Sequence, residues 1–354
     1  MSLACPKTIP GWIYCIREQD YLDNSWGRYV KLGLTTRSVA QRIREHQTGN
    51  PRREESEFDI NLEMMHYAEK YLHHYFAADR IGGEWFDMDN ARLVSDVVPI
   101  LQTLEAEMNA KVGFFRAWQK AKEIPSNGNV RTPTAAEIAL HQQYVSADET
   151  YKVAEARHKI HESNLRAMIG GYDGLENVVN LIEVTGSDKF NQTMFESMLT
   201  PAQLSLCEET KTGLKGSFTM KGAGSLKSLN PTVDAKLKSA KSGITSKPSL
   251  ANLGGTTYAM NQSLKDEHML FLKTKRDLKV AEWACLRIKA ELAAALGADE
   301  AITDILTWKR ESTTTTQFSS KLAKEHFPKE YHACLTSQKN SVRVDWHEGR
   351  KYMP

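Results

Sequence analysis

The sequence predicts a small α/β domain, a central sheet flanked by helices, followed by a mainly α-helical C-terminal region. Three observations carry this. Apolar and polar residues alternate over 11–17 and 28–34, the period of half-buried strands. Helical spacing with start and stop signals follows near 38–47 and again over 63–78. From about residue 90 the dominant period is helical, in long stretches.

In the first strand Trp12, Tyr14 and Ile16 share a face. In the second, Val30, Leu32 and Leu34 share one face while Tyr29 and Lys31 point the other way. Residues 20–27 are polar and turn-rich, so the pair reads as a long-looped hairpin. Ser38 is a candidate N-cap, followed at helical spacing by Val39, Arg42, Ile43 and His46. Thr48-Gly49-Asn50-Pro51 stops that helix. A third strand is expected at 58–62. A second helix is expected over 63–78, with Met65, Ala68, Leu72 and Phe76 as its apolar stripe. Gly82-Gly83 then turns the chain into Glu84-Trp85-Phe86.

The pattern is helical over 90–122, with Val97, Ile100, Leu101, Leu104 and Met108 as a stripe. Residues 125–129, Pro-Ser-Asn-Gly-Asn, read as a linker. One or two charged helices are expected over 134–170, and mixed, mainly helical structure over 172–207. Residues 211–256 are rich in Lys, Ser and Gly and read as extended or disordered. The last part opens with a long helix through Leu296, then 305–309, a Thr-rich turn at 313–316, a helix at 318–326 and a strand at 341–346. The expected division is 1–120, an α/β domain with a trailing helix; 121–210, a helical middle; 211–260, a flexible basic segment; and 261–354, a helical accessory domain.

Net charge over the 354 residues is only +2, so total charge does not announce a nucleic acid. Its distribution does. Lys211, Lys215, Lys221, Lys227, Lys236, Lys238, Lys241 and Lys247 face a single acid, Asp234, within forty residues, leaving the rest of the chain net acidic. Few aromatics accompany them, which suits contact with DNA phosphates better than base stacking. The bland reading is a solvated linker. The five cysteines are scattered and form no Cys-x-x-Cys, which argues against a disulfide framework or zinc site and fits a reducing cytoplasm. No signal peptide or membrane span is expected.

The chemistry-bearing residues concentrate in the first ninety positions: Tyr14, Lys31, Arg42, His46, Glu69 and His73, closed by Gly83-Glu84-Trp85-Phe86. Singly, each has a bland reading as a strand tyrosine, a solvated cation or a helix-surface pair. Delivered together by two strands and two helices, they can assemble one phosphodiester-cleaving site. Gly11-Trp12-Ile13-Tyr14, Lys31-Leu32-Gly33, Arg42, His46, Glu69 with His73, and Gly-Glu-Trp-Phe resemble, over residues 9–95, the GIY-YIG nuclease superfamily. Within it they are most similar to a phage and bacterial branch with Lys-x-Gly as second motif.

The resemblance implies a divalent-metal-dependent DNA endonuclease. Glu69 would hold Mg²⁺ or Mn²⁺, and Arg42 would stabilise the phosphorane. Tyr14, Lys31 and His46 all remain candidates for the general base. Lys31 stands where the superfamily usually has a second tyrosine. His73 and Glu84 are supporting residues. The asparagine common near the end of such domains has only Asn90 as a candidate, outside any matching motif.

Residues 264–346 more loosely resemble the C-terminal region of YqaJ-type phage recombination nucleases, through Ala-Leu-Gly-Ala-Asp-Glu-Ala at 295–301, Leu306-Thr307-Trp308-Lys309 and the run from Glu325 to Tyr331. That family's catalytic motifs are absent, so the resemblance implies positioning of DNA or of a replication or recombination protein. The rival readings are a nuclease-like fold that binds nucleic acid without cutting it, and a protein adaptor.

Overall fold

The computed structural model describes residues 3–245 and 247–352. Its N-terminal elements are β1 (Gly11–Gln19), β2 (Trp26–Thr35), α1 (Val39–Gln47), β3 (Arg53–Leu62), α2 (Met65–Tyr75), β4 (Arg80–Gly82) and β5 (Trp85–Asp87). The five strands form one antiparallel sheet in the order β3-β1-β2-β5-β4. Strand β3 starts well before the expected residue 58. It pairs with the whole of β1, from Gly11 opposite Leu62 to Gln19 opposite Arg53. Its first half is polar because it forms a sheet edge, so apolar alternation could not reveal it.

The sheet's two faces divide as the alternation requires. Ile13, Cys15, Val30 and Leu32 enter the main core with Met65, Ala68 and Leu72 of α2. Tyr14, Ile16 and Trp12 pack on the opposite face against Val39 and Ile43 of α1. The Ser38 side chain caps α1 by accepting from the Gln41 N–H.

Beyond the sheet, α3 (Asn90–Arg92) passes through a π-helical turn (Leu93–Val97) into α4 (Val98–Ala121). Then come β6 (Val130–Arg131) and α5 (Ala135–Ile169), which opens on a capping box between Thr134 and Glu137. The stretch expected to be mainly helical instead holds β7 (Gly174–Leu175), β8 (Val179–Val184) and β9 (Lys189–Phe190) before α6 (Gln192–Met198) and α7 (Pro201–Leu204). Val179 and Leu181 of β8 are buried while Asn180 is exposed, a short alternation inside a polar stretch.

The basic segment is not extended coil. It contains β10 (Glu208–Lys215), β11 (Thr219–Met220), α8 (Leu226–Leu229) and α9 (Pro231–Ser242). Asn230 caps α9 and Pro231 occupies its first turn, while Val233, Leu237 and Ala240 recur at helical spacing toward α5. The lysines dominate the composition and hide this stripe.

The remainder is α10 (Gln262–Leu296), β12 (Ala301–Ile302), β13 (Leu306–Thr307), β14 (Glu311–Phe318), α11 (Ser320–His326), α12 (Pro328–Ala333), β15 (Leu335–Thr336) and β16 (Ser341–Trp346). The threonines 313–316, expected as a turn, lie inside β14. There they pair with β10, and Thr210 meets Thr316 while Thr212 meets Thr314. Every small sheet outside the N-terminal one pairs a strand from before residue 221 with one from after residue 300.

Helix α10 is central. It packs on α2, α4 and α5, and one core runs from the N-terminal sheet to Trp308. The Tyr67 and Trp283 rings lie 5.1 Å apart, and Trp283 Nε1 donates to Glu107 at 2.6 Å. Each such buried aromatic contributes on the order of 1.5–3 kcal/mol through area removed from water. An α/β N-terminal domain thus precedes a mainly helical region, and 48% of the described residues are helical. No helix among the described residues is long and apolar enough to cross a membrane.

Candidate active site

Strand β1 carries Tyr14 on the face covered by α1, and the side chain is fully buried. Its ring lies across the backbone of Gly33 on β2. A Cβ at Gly33 would come within 2.6 Å of the Tyr14 Oη and 2.7 Å of Cζ. Glycine in Lys31-x-Gly33 is therefore a space requirement, and it places the tyrosine beside Lys31.

Four sequence-predicted residues converge here. Tyr14 Oη lies 3.4 Å from His46 Nε2, and Lys31 Nζ lies 3.1 Å from the same nitrogen. The Arg42 guanidinium, one helical turn before His46, lies near enough to the Tyr14 hydroxyl to favour its ionised form. Arg42 also donates to Glu45 at 3.2 Å. Lys31 is paired on its other side with Glu84, at 3.5 Å.

Burial pulls the His46 pKa down, and the neighbouring Lys31 and Arg42 charges add to that. At neutral pH the ring is uncharged and has one nitrogen able to accept a proton. Tyr14 moves the other way. Burial raises its pKa, the nearby Arg42 opposes, and the carboxylates of Glu84 and Glu69 raise it further. Tyr14 is therefore a protonated donor at neutral pH, aimed at a histidine that can accept.

Glu69 comes from α2. Its carboxyl takes no hydrogen bond or ion pair among the described residues. Burial, then the nearby Glu84 charge, push its pKa up to about 7, with Arg80 opposing. His73, one turn later, is buried and its Nε2–H donates to the Leu32 carbonyl at 3.0 Å. That bond puts the proton on Nε2, and burial keeps the ring neutral. The Leu32 N–H in turn donates to the Glu84 carbonyl at 3.0 Å. His73 and the Glu84 backbone thus fix the β2 residue between Lys31 and Gly33. Phe86 is fully buried and Trp85 half-buried, while Asn90 sits exposed at the start of α3.

One neighbour escaped the sequence reading. Arg80 is buried, faces Glu69 and Glu84 electrostatically, and pairs with Glu348 at 2.6 Å. Its backbone carbonyl accepts from the Arg350 N–H at 2.6 Å, and Gly349 packs so closely on that carbonyl that a Cβ would meet it at 2.1 Å. The partners lie some 270 positions away, so no local pattern points to them.

The eight predicted DNA-contacting lysines do not join this cluster. All are exposed. Lys211 and Lys215 lie in β10, Lys227 in α8, and Lys236, Lys238 and Lys241 on α9. Lys211 pairs with Glu209, Lys221 with Asp304 and Lys238 with Asp234. Lys247 lies in the coil after α9.

Residues 11–101, covering the sheet with α1 and α2, match the model of the T5orf172 domain. That domain is found in phage-derived nuclease-like proteins. No curated protein and no solved structure matches the chain.

Proposed function

We propose that residues 11–101 form a divalent-metal-dependent DNA endonuclease of the GIY-YIG type, acting in phage or bacterial DNA processing or recombination inside the cell. The observation that carries this reading is the convergence of Tyr14, Lys31, Arg42 and His46, with Glu69 and Glu84 in electrostatic reach of the same hydroxyl. Similarity to the T5orf172 domain supports the nuclease class.

In this reading neutral His46 takes the Tyr14 hydroxyl proton as that oxygen takes one from the attacking water, so the pair acts as the base. Tyr14, held between Arg42 and His46, positions that water. The planar fork of Arg42 binds the phosphoryl oxygens as charge builds on them. Lys31, oriented by Glu84, adds a second positive charge. Glu69, completed by water and substrate phosphate, would hold Mg²⁺ or Mn²⁺, which supplies charge neutralisation at the phosphoryl group. The donor chemistry fits such an ion. Glu69 offers unengaged carboxylate oxygens, and its repulsion with Glu84 is relieved by a cation. Among the described residues no cluster of three or more His, Cys, Asp or Glu could form a closed metal cage, so a cation that retains waters suits the site best.

Supercoiled plasmid should be nicked in Mg²⁺ or Mn²⁺ and left intact in chelator. A folded protein that binds DNA but never nicks it in either metal would leave only the binding reading.

The exposed lysines of 211–247 would then track DNA phosphates, and the C-terminal region would present DNA or a replication or recombination protein to the site. Neutralising four of these lysines is expected to lower the salt slope of DNA binding by about three to four, at ~0.9 per released counterion. An unchanged slope, measured by titration across salt concentrations, would return the segment to a purely structural role.

A further inference from the structure

A cavity lined by cations and aromatic rings lies apart from the Tyr14 cluster and shares no residue with it. It measures about 260 Å³ and is lined by the N-terminal stretch at Cys5, by α4, α10, the β10–β11 connection and the end of β13. Four cations face it, Lys122, Lys215, Lys289 and Arg310, and no carboxylate does. None of the four is ion-paired among the described residues.

Two of these cations are deeply buried. Lys289 is 4% exposed and Arg310 is 2% exposed. Lys289 Nζ donates to the Leu3 carbonyl at 2.8 Å and sits 4.9 Å above the Phe218 ring and 5.3 Å from that of Trp118. Arg310 stacks over Trp308 at 4.3 Å. Its Nε donates to the Ile124 carbonyl and its Nη2 to the Gly297 carbonyl, closing the C-terminus of α10. Those bonds use two of its three nitrogens. Nη1 is buried with no hydrogen-bond partner, and so is the indole Nε1 of Trp118 on the same lining.

Buried positive charge without a counter-ion is costly, as are buried donors without acceptors. Here both occur on residues that line one cavity, from three separate segments, α4, α10 and the stretch after β13. Gly216 lets the β10–β11 connection close over it, since a Cβ there would meet the Lys309 carbonyl at 2.0 Å. Burial also pulls the Lys289 pKa down to about 8, as expected where the lysine lacks an anionic partner.

We propose that this cavity is a phosphate-binding site, in which Arg310 Nη1, Trp118 Nε1 and the Lys122, Lys215 and Lys289 ammonium groups receive a phosphate group. A carboxylate carries one charge and would leave most of this field unbalanced, whereas a phosphomonoester brings two charges and enough acceptor oxygens. The volume is several times a single water's share of ~30 Å³. It admits a phosphate with part of what it esterifies. The phosphate can belong to a free small molecule or to the end of a nucleic-acid strand.

The test is run on the full chain in chelator, so that it does not depend on the metal-dependent site. Inorganic phosphate is titrated at constant ionic strength against chloride, reading thermal stability and tryptophan fluorescence, since a ligand that binds only the folded state raises Tm. A short single-stranded oligonucleotide is then compared with and without a 5′-phosphate. Phosphate-specific stabilisation is expected. Affinity should weaken at least about tenfold in Lys289→Met and in Lys122→Gln, the loss of one charged hydrogen bond. Lys289→Met keeps the apolar stem and removes a buried charge, so it is expected to fold, and Lys122→Gln changes an exposed side chain. Tighter binding of the 5′-phosphorylated strand than of its hydroxyl form assigns the site to a strand end. Equal binding of the two strands with retained response to inorganic phosphate assigns it to a small molecule. No difference between phosphate and chloride, or an undiminished response in both variants, overturns the proposal.

Discussion

Replacing Glu69 by Gln is expected to abolish plasmid nicking while leaving DNA binding and the fold intact. No hydrogen bond or ion pair among the described residues engages the Glu69 carboxylate, and the amide keeps its shape without its charge. The raised pKa supplies a second readout that does not need activity. A carboxyl titrating at about 7 in the folded protein and near 4.5 when unfolded contributes stability below pH 4.5 that is lost as pH rises through 7. In chelator at pH 8 the Gln variant should therefore melt above the parent protein, whereas at pH 4 the two should coincide. The same proton competes with the metal, so nicking at limiting Mg²⁺ should rise from pH 6 to pH 8. Undiminished nicking by the Gln variant would remove Glu69 from the site. Coincident melting curves at pH 8 would show that its carboxyl is not strained by burial and by Glu84.

The second large effect is expected at Arg42. Its guanidinium bonds Glu45 while lying beside the Tyr14 hydroxyl, a planar two-sided reach that one ammonium group cannot reproduce. Arg42→Lys keeps the charge and loses the fork, so the cleavage rate should fall by about 10²-fold or more, the cost of one transition-state charge donor. Single-turnover kinetics at saturating DNA separate this from weaker binding. A parental rate would reduce Arg42 to a surface partner of Glu45, a pair worth roughly 0.3–0.5 kcal/mol.

Much of the site could be read from the sequence because it rests on local rules. Alternation put Tyr14 and Lys31 on the face opposite Ile13 and Leu32, and the structure has them there. The i, i+4 spacing of Arg42 and His46 brought both to Tyr14. The expected strand at 341–346 is β16. What could not be read depends on partners distant in sequence. The Thr-rich strand β14 is a strand because β10 lies beside it, roughly a hundred residues earlier, and its polar residues carry no apolar alternation. Helix α9 was concealed by its three lysines, as many as its stripe residues, inside a segment rich in Lys, Ser and Gly. Arg80 was missed because Glu348 and Gly349 define its role.

The clasp of residues 348–350 on Arg80 also orders events in time. During synthesis the N-terminal sheet can pair its own strands early, since β1 to β5 are close in sequence. Arg80 then waits for roughly 270 more residues before it gains Glu348 and the backbone beside it. The small sheets joining positions before 221 to positions after 300 impose similar delays. Closing such long loops raises contact order and slows folding. Until α10 has been synthesised, the face of α2 that it covers stays open, and Tyr67 remains unpaired aromatic surface exposed to association with other nascent chains.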